Sequence, residues 1–105
     1  MSNVYTVAIQ AIQGLNGTIT VGPPPTGFKW VLKDGDFYFN GTLGGSVRLV
    51  GAGGQAFWVN NWAVGTPAQY ASWRGRNVIG TGKTFQIIST AATDCTISGF
   101  QLQLP

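Results

Sequence analysis

Near the C-terminal end the chain reads Cys95-Thr96-Ile97-Ser98-Gly99-Phe100-Gln101-Leu102-Gln103-Leu104, its clearest alternating run. Phe100, Leu102 and Leu104 fall on one side of an extended chain, and Gln101 and Gln103 on the other. A period of two marks a strand, because successive side chains leave a pleated backbone in opposite directions. This run is expected to be a central strand. Working back from it, short runs rich in Val, Ile, Thr and aromatics recur at 85–89, 78–79, 69–73, 56–60 and 47–50, each bounded by Gly, Asn or Pro. Nearer the N-terminus, residues 4–12 alternate, with Tyr5, Val7 and Ile9 on one face and Thr6, Ala8 and Gln10 on the other. A second run, 18–21, is expected after an Asn16-Gly17 turn.

Two punctuation marks need separate treatment. Gly22-Pro23-Pro24-Pro25-Thr26-Gly27 cannot sit in a ladder, since its prolines carry no N–H, so it reads as a stiff loop. Asp34-Gly35 allows two readings. It is either a tight hairpin turn that pairs 30–33 with 36–39, or a bulge in one bent strand spanning 28–39. No apolar stripe at helical spacing survives inspection, and 16 of the 105 residues are glycine. The expectation is an all-β chain: a single domain over residues 1–105, folded as a jelly-roll-like β-sandwich of about eight short antiparallel strands.

Composition narrows the chemistry. Nine residues are charged, six Lys or Arg and three Asp, and the chain holds no Glu and no His. Any catalysis would have to rest on Asp34, Asp36 or Asp94, so no enzyme, no metal and no cofactor are expected. Five serines are present without a His to activate them, so a nucleophilic triad is not available. Asp34-Gly35-Asp36 hints at a cation site. Such a site needs about six oxygen ligands, which leaves turn chemistry as the simpler account. Gly80-Thr81-Gly82-Lys83-Thr84 imitates the end of a phosphate-binding loop, but Asn77 stands where the pattern requires its first Gly. A hairpin turn ahead of the strand at Phe85 is expected instead.

The net charge is +3. The cations are scattered: Lys29 with Lys33, Arg74 with Arg76, and Arg48 and Lys83 alone. A nucleic-acid surface clusters them, so binding to nucleic acid is not expected. Nor is a membrane span, since no stretch approaches 18 apolar residues, and no signal peptide is read at the N-terminus. Asn16-Gly17-Thr18 and Asn40-Gly41-Thr42 match the glycosylation sequon but read as turns. Cys95, the sole cysteine, is expected as a buried inert thiol.

The strongest positive feature runs from Ala56 to Arg76. It holds Phe57, Trp58, Trp62, Tyr70 and Trp73, with Asn60, Asn61, Arg74 and Arg76 close by. Trp58 and Trp62 share a face opposite Phe57 and Val59, so both faces carry aromatic rings. One must meet the core. The other is either a contact surface, since Trp, Tyr and Arg dominate binding hot spots, or is buried between two packed sheets. Trp58, Trp62, Tyr70, Trp73, Arg74 and Arg76 are therefore the candidate contact residues for a protein interface or a glycan. Four Trp, six Phe and three Tyr exceed what so small a core can hold, which points to aromatic surface covered in an assembly.

A family resemblance enters on particular segments. They are Thr20-Val21-Gly22-Pro23 running to Gly27, Lys29-Trp30-Val31-Leu32-Lys33-Asp34, and an aromatic strand ending in Asn40-Gly41. Later come Trp73-Arg74-Gly75-Arg76-Asn77-Val78-Ile79-Gly80, Gly82-Lys83-Thr84-Phe85 and Ile97-Ser98-Gly99-Phe100-Gln101-Leu102. Over residues 18–104 the chain resembles the small β-sandwich virion structural proteins of tailed bacteriophages. It departs from them in a longer proline loop and in Gly35, where an apolar strand residue is expected. The resemblance implies a capsid decoration, minor capsid or tail component. Its partners would be a major capsid protein or tail proteins, in a homo-oligomer such as a trimer, located in a virion assembled in the host cytoplasm. The alternative is a minor tail or receptor- and carbohydrate-binding module.

Overall fold

The strand expected at 95–104 is the end of a much longer one. In the computed structural model, which describes residues 4–39, 41, 44–65 and 69–104 and side chains from Ala8 onward, β6 runs Phe85–Gln103. Its odd-numbered side chains Phe85, Ile87, Ser89, Thr93, Cys95 and Ile97 are all buried, and its even-numbered ones are not. Alternation therefore continues without a break through the 90–94 segment. The other elements are β1 (Val4–Val21), β2 (Phe28–Phe39), β3 (Gly45–Val50), β4 (Ala56–Trp62) and β5 (Gln69–Ile79). The described residues thus form six strands rather than eight: 4–12 with 18–21, 69–73 with 78–79, and 85–89 with 95–104 are each one strand. Among the described residues there is no helix.

β6 lies at the centre, as its pattern suggests. One edge pairs antiparallel with β1 along its length. The other edge pairs first with β3, at 86–89, and then with β2, at 93–103. β4 hangs from β3 and β5 from β2. β1 and β6 thus run through two layers, β1-β6-β3-β4 and β1-β6-β2-β5, and turn the corner between them together. Strands that change sheet do so at irregularities in the ladder. β1 has such irregularities between Ile12 and Leu15 and between Leu15 and Gly17. Asn16-Gly17 is therefore a break in register inside β1 rather than a turn between strands. On β6 the corner falls at Ala91. Its carbonyl accepts from Ser89 Oγ at 2.6 Å and from Thr93 Oγ1 at 2.7 Å, and the two hydroxyl oxygens lie 2.9 Å apart. Both residues are buried, so two hydroxyls take up the backbone acceptor that the bend removes from the ladder.

β2 resolves the Asp34-Gly35 ambiguity. It is one bent strand, and against β6 the extra residue lies between Leu32 and Asp34. The bulge is needed because the apolar pattern changes parity, from Trp30 and Leu32 to Phe37 and Phe39. One inserted residue keeps all four on the core side, where they are buried. Two glycines accommodate this geometry. A Cβ on Gly35 would come within 2.8 Å of the Phe37 ring and 3.1 Å of Ile97. A Cβ on Gly99, opposite Leu32, would run into the carbonyl oxygen of Val31.

The proline segment lies between β1 and β2, which do not pair with each other, and ends in a turn with Phe28 N donating to Pro25 O. The 80–84 segment is a turn, with Lys83 N donating to Gly80 O. It is not a hairpin, because it joins β5 to β6 in opposite layers and, among the described residues, β5 pairs with β2 alone. The expected faces of Tyr5, Thr6 and Val7 and the expected turn and sequon at Asn40 lie outside the described side chains and residues.

Candidate functional site

The aromatic segment divides by position in the sandwich. Trp62 and Trp73 are buried at 5% and 8% exposure. Trp62 stacks on Phe39 at 5.5 Å and Trp58 on Phe37 at 4.8 Å. Phe57, expected on the face opposite Trp58, also packs against the core and meets Trp73 edge-on at 5.2 Å. The reason is a second irregularity. Leu49 pairs with Trp58 and Val50 with Ala56, so Phe57 is an extra residue and turns inward. The opposite face of β4 therefore carries Val59 and Asn61 rather than rings. The three tryptophans belong to the interior, and the surface offered by this part of the chain is Tyr70, Arg74 and Arg76 on β5.

These three lie on the outward face of the β1-β6-β2-β5 layer, where the register builds a regular array. Tyr38 on β2 stands between Tyr70 on β5 and Asp94 on β6. Asp36 stands between Ser72 and Thr96. The two tyrosine rings are 4.7 Å apart, and Tyr70 is 78% exposed. With Ala11 and Gln13 of β1 these residues line an open groove of about 510 Å³. The Asp94 carboxylate accepts from Gly14 N at 2.8 Å, which ties β1 to β6 at the corner.

Asp34 and Asp36 do not serve a turn. Both project outward beside Arg74, which approaches Asp34 at 3.4 Å and Asp36 at 3.0 Å, while Ser72 Oγ donates to Asp36 at 3.2 Å. The Arg74 guanidinium also donates to the carbonyls of Gly35 and Trp73. The carboxylates and the guanidinium are about half exposed, so the cluster fixes cross-strand geometry more than it adds stability. Among the described residues, no three His, Cys, Asp or Glu side chains converge as metal ligands. The Cys95 thiol is buried, and desolvation, with the Asp94 charge adding to it, pushes it up from 9.0 to about 12. It remains a protonated thiol at neutral pH, a poor nucleophile.

Further along the same face lies an apolar row that the alternation of Phe100 and Leu102 signals. Val31 is only 6% exposed yet stands apart from the core cluster. Its cross-strand neighbours are Phe100 on β6 and Val78 on β5, and Leu102 follows beside Lys29. The glutamines occupy the other side: Gln101 accepts a hydrogen bond from Trp30 Nε1 at 3.0 Å. The run therefore turns its glutamine side toward the interior end of the sandwich and its apolar side toward solvent. A sequence-only reading has no means of seeing this, because alternation reveals two faces without saying which is inside.

Fold and surface together define an all-β sandwich protein with an aromatic and apolar outer sheet face. No protein-family model matches the chain, and no curated protein matches it. Among solved structures it is similar to a chain of infectious bursal disease virus, Gx strain, at 15% identity and a TM-score of 0.44, over 98% of this chain and 32% of that one. It is also similar to a chain of the virus-like particle of giant freshwater prawn Macrobrachium rosenbergii extra small virus, at 16% identity and a TM-score of 0.45, over 96% of this chain and 78% of that one. A third likeness is to a Bacillus endospore appendage of disulfide-linked pili, at 12% identity and 0.42, over 100% and 88%. This chain spans about a third of the length of the bursal disease virus chain.

Proposed function

We propose that this chain is a non-enzymatic virion structural protein of a tailed bacteriophage, a capsid decoration or minor capsid subunit that works as a homo-oligomer. The observation that carries the proposal is the outer sheet face. After the core has taken in the tryptophans, that face still presents exposed Val78 with half-buried Phe100 and Leu102 at one end and the Tyr38–Tyr70 pair at the other, with the Arg74 cluster between them. Apolar and aromatic surface left open on a small protein marks an interaction site. The segment-by-segment resemblance to phage virion proteins supports the same conclusion, as do the scarcity of charge and a sequence without His or Glu.

Protein mass spectrometry of density-purified particles tests the proposal. The expected result is the chain present in many copies per particle, with Val78→Asp and Phe100→Ser variants folding normally but failing to incorporate. Absence of the chain from purified particles overturns it. A second reading, a glycan- or receptor-binding module of the tail, is favoured by the groove itself. Its tilted tyrosine pair, Asp94, Thr96 and Gln13 offer a ring to stack on beside hydrogen-bonding groups, in a volume suited to a small ligand. Under that reading a glycan array gives binding that Tyr70→Ala abolishes without changing particle incorporation.

A further inference from the structure

The two layers end differently on their two sides. On one side β4 and β5 face each other, and Phe57 against Trp73 closes the seam between them. On the other side β1 is the last strand of both layers, and among the described residues it pairs with β6 alone. It is 18 residues long, Val-Tyr-Thr-Val-Ala-Ile-Gln-Ala-Ile-Gln-Gly-Leu-Asn-Gly-Thr-Ile-Thr-Val, without a charged residue or a proline. Natural edge strands are blunted by charge, proline, shortness or bulges, because their unpaired N–H and C=O groups otherwise recruit another strand. Of these devices β1 has only bulges, and they are placed so as to leave two regular stretches. Residues 4–8 and 17–21 each keep five successive pairs with β6, separated by the irregular corner.

We infer that β1 is a homotypic docking edge: a second copy of this chain adds its own β1 antiparallel, across a two-fold axis at the corner. Val4 of one copy then lies opposite Thr20 of the other, and Val7 opposite Gly17, so residues of like face meet and both regular stretches are used at once. The pairing of β1 with β6 shows that two antiparallel strands can follow this corner together. The occupant is a second copy because the edge is complementary to itself. In a chain of net charge +3, β1 is a long segment where self-pairing places no two cations together. The stretches are rich in the β-branched residues that favour strands. The inference deepens the homo-oligomer part of the proposed function by naming its surface and symmetry, and it does not require the virion role.

The test uses the full chain. Light scattering across a concentration series reads the oligomer, and amide hydrogen exchange reads the edge. The expected state is a dimer at micromolar concentration, with β1 amides protected beyond what β6 pairing explains. Ala8 and Thr18 are exposed, so Ala8→Lys with Thr18→Lys leaves the core intact. The two lysines then sit on diagonal positions of one face of the new ladder, one from each copy, and weaken dimerisation at least about tenfold. Val59→Lys with Val64→Lys adds the same charge on exposed positions off the edge and leaves the dimer unchanged. A monomer throughout, a trimer, or a dimer indifferent to the Ala8→Lys and Thr18→Lys pair overturns the inference. A dimer in solution from a chain missing from particles sinks the virion role alone.

Discussion

Removing the two hydroxyls that hold the corner of β6 is expected to cost more together than separately. Ser89 and Thr93 each carry one hydroxyl proton, yet three short oxygen–oxygen contacts link them and the Ala91 carbonyl. Two protons serve three contacts, so either hydroxyl alone still supplies the carbonyl with a donor. Thr93→Val keeps the side-chain shape and loses one hydrogen bond, about 1 kcal/mol, and Ser89→Ala loses a similar amount. The double variant leaves the Ala91 carbonyl without either donor. An unsatisfied buried acceptor costs about 1–3 kcal/mol, and since Ala91 is only half-buried the lower end applies. The expected coupling is therefore about 1 kcal/mol beyond the sum of the single losses, for a total near 3 kcal/mol. For a domain of this size each kcal/mol lowers Tm by about 4–8 °C. Urea unfolding of the four proteins, followed by tryptophan fluorescence, measures the cycle. A double variant that matches the sum of the singles to within about 0.3 kcal/mol shows that the hydroxyls act independently and refutes this account of the corner.

Other expectations follow from the same structure. Gly99→Ala drives a methyl into the Val31 carbonyl, so it should cost about 2–3 kcal/mol or more, whereas Ser98→Ala on the next position should stay within about 0.5 kcal/mol; thermal unfolding compares them. Arg74→Ala should cost at most about 1 kcal/mol, and the loss should shrink in high salt, because its carboxylate partners are half exposed. Cys95 should resist a thiol reagent in the native protein and react on unfolding. Its folded pKa lies above its unfolded value, so its contribution is complete below about pH 9 and is lost as pH rises toward about 12. Unfolding midpoints of wild type and Cys95→Ala across that range should converge as the pH climbs.

Much of the all-β character can be read directly from residues. The odd-numbered run from Phe85 to Ile97 is apolar or small, while Asp34-Gly35 left a hairpin and a bulge equally open until the pairing of β2 with β6 showed the bulge. Strand number was less legible. Asn16-Gly17 and the 74–77 segment look like turns locally, but pairing with a long neighbour carries the chain through them as irregular strand. The candidate surface was legible only in part. Tyr70, Arg74 and Arg76 do face outward, while an extra residue at Phe57 sends the rings of β4 inward.

Legible in the residues alone are the period of two, the shortage of charge and the absence of His and Glu, since these are properties of each residue and its near neighbours. Three-dimensional packing settles which face of each strand is inside, that Arg74 meets two carboxylates 38 and 40 positions away in the chain, and that β1 ends both layers. Those outcomes depend on which strands lie side by side. That choice is made by packing between distant segments, and a local pattern with two equivalent faces cannot express it.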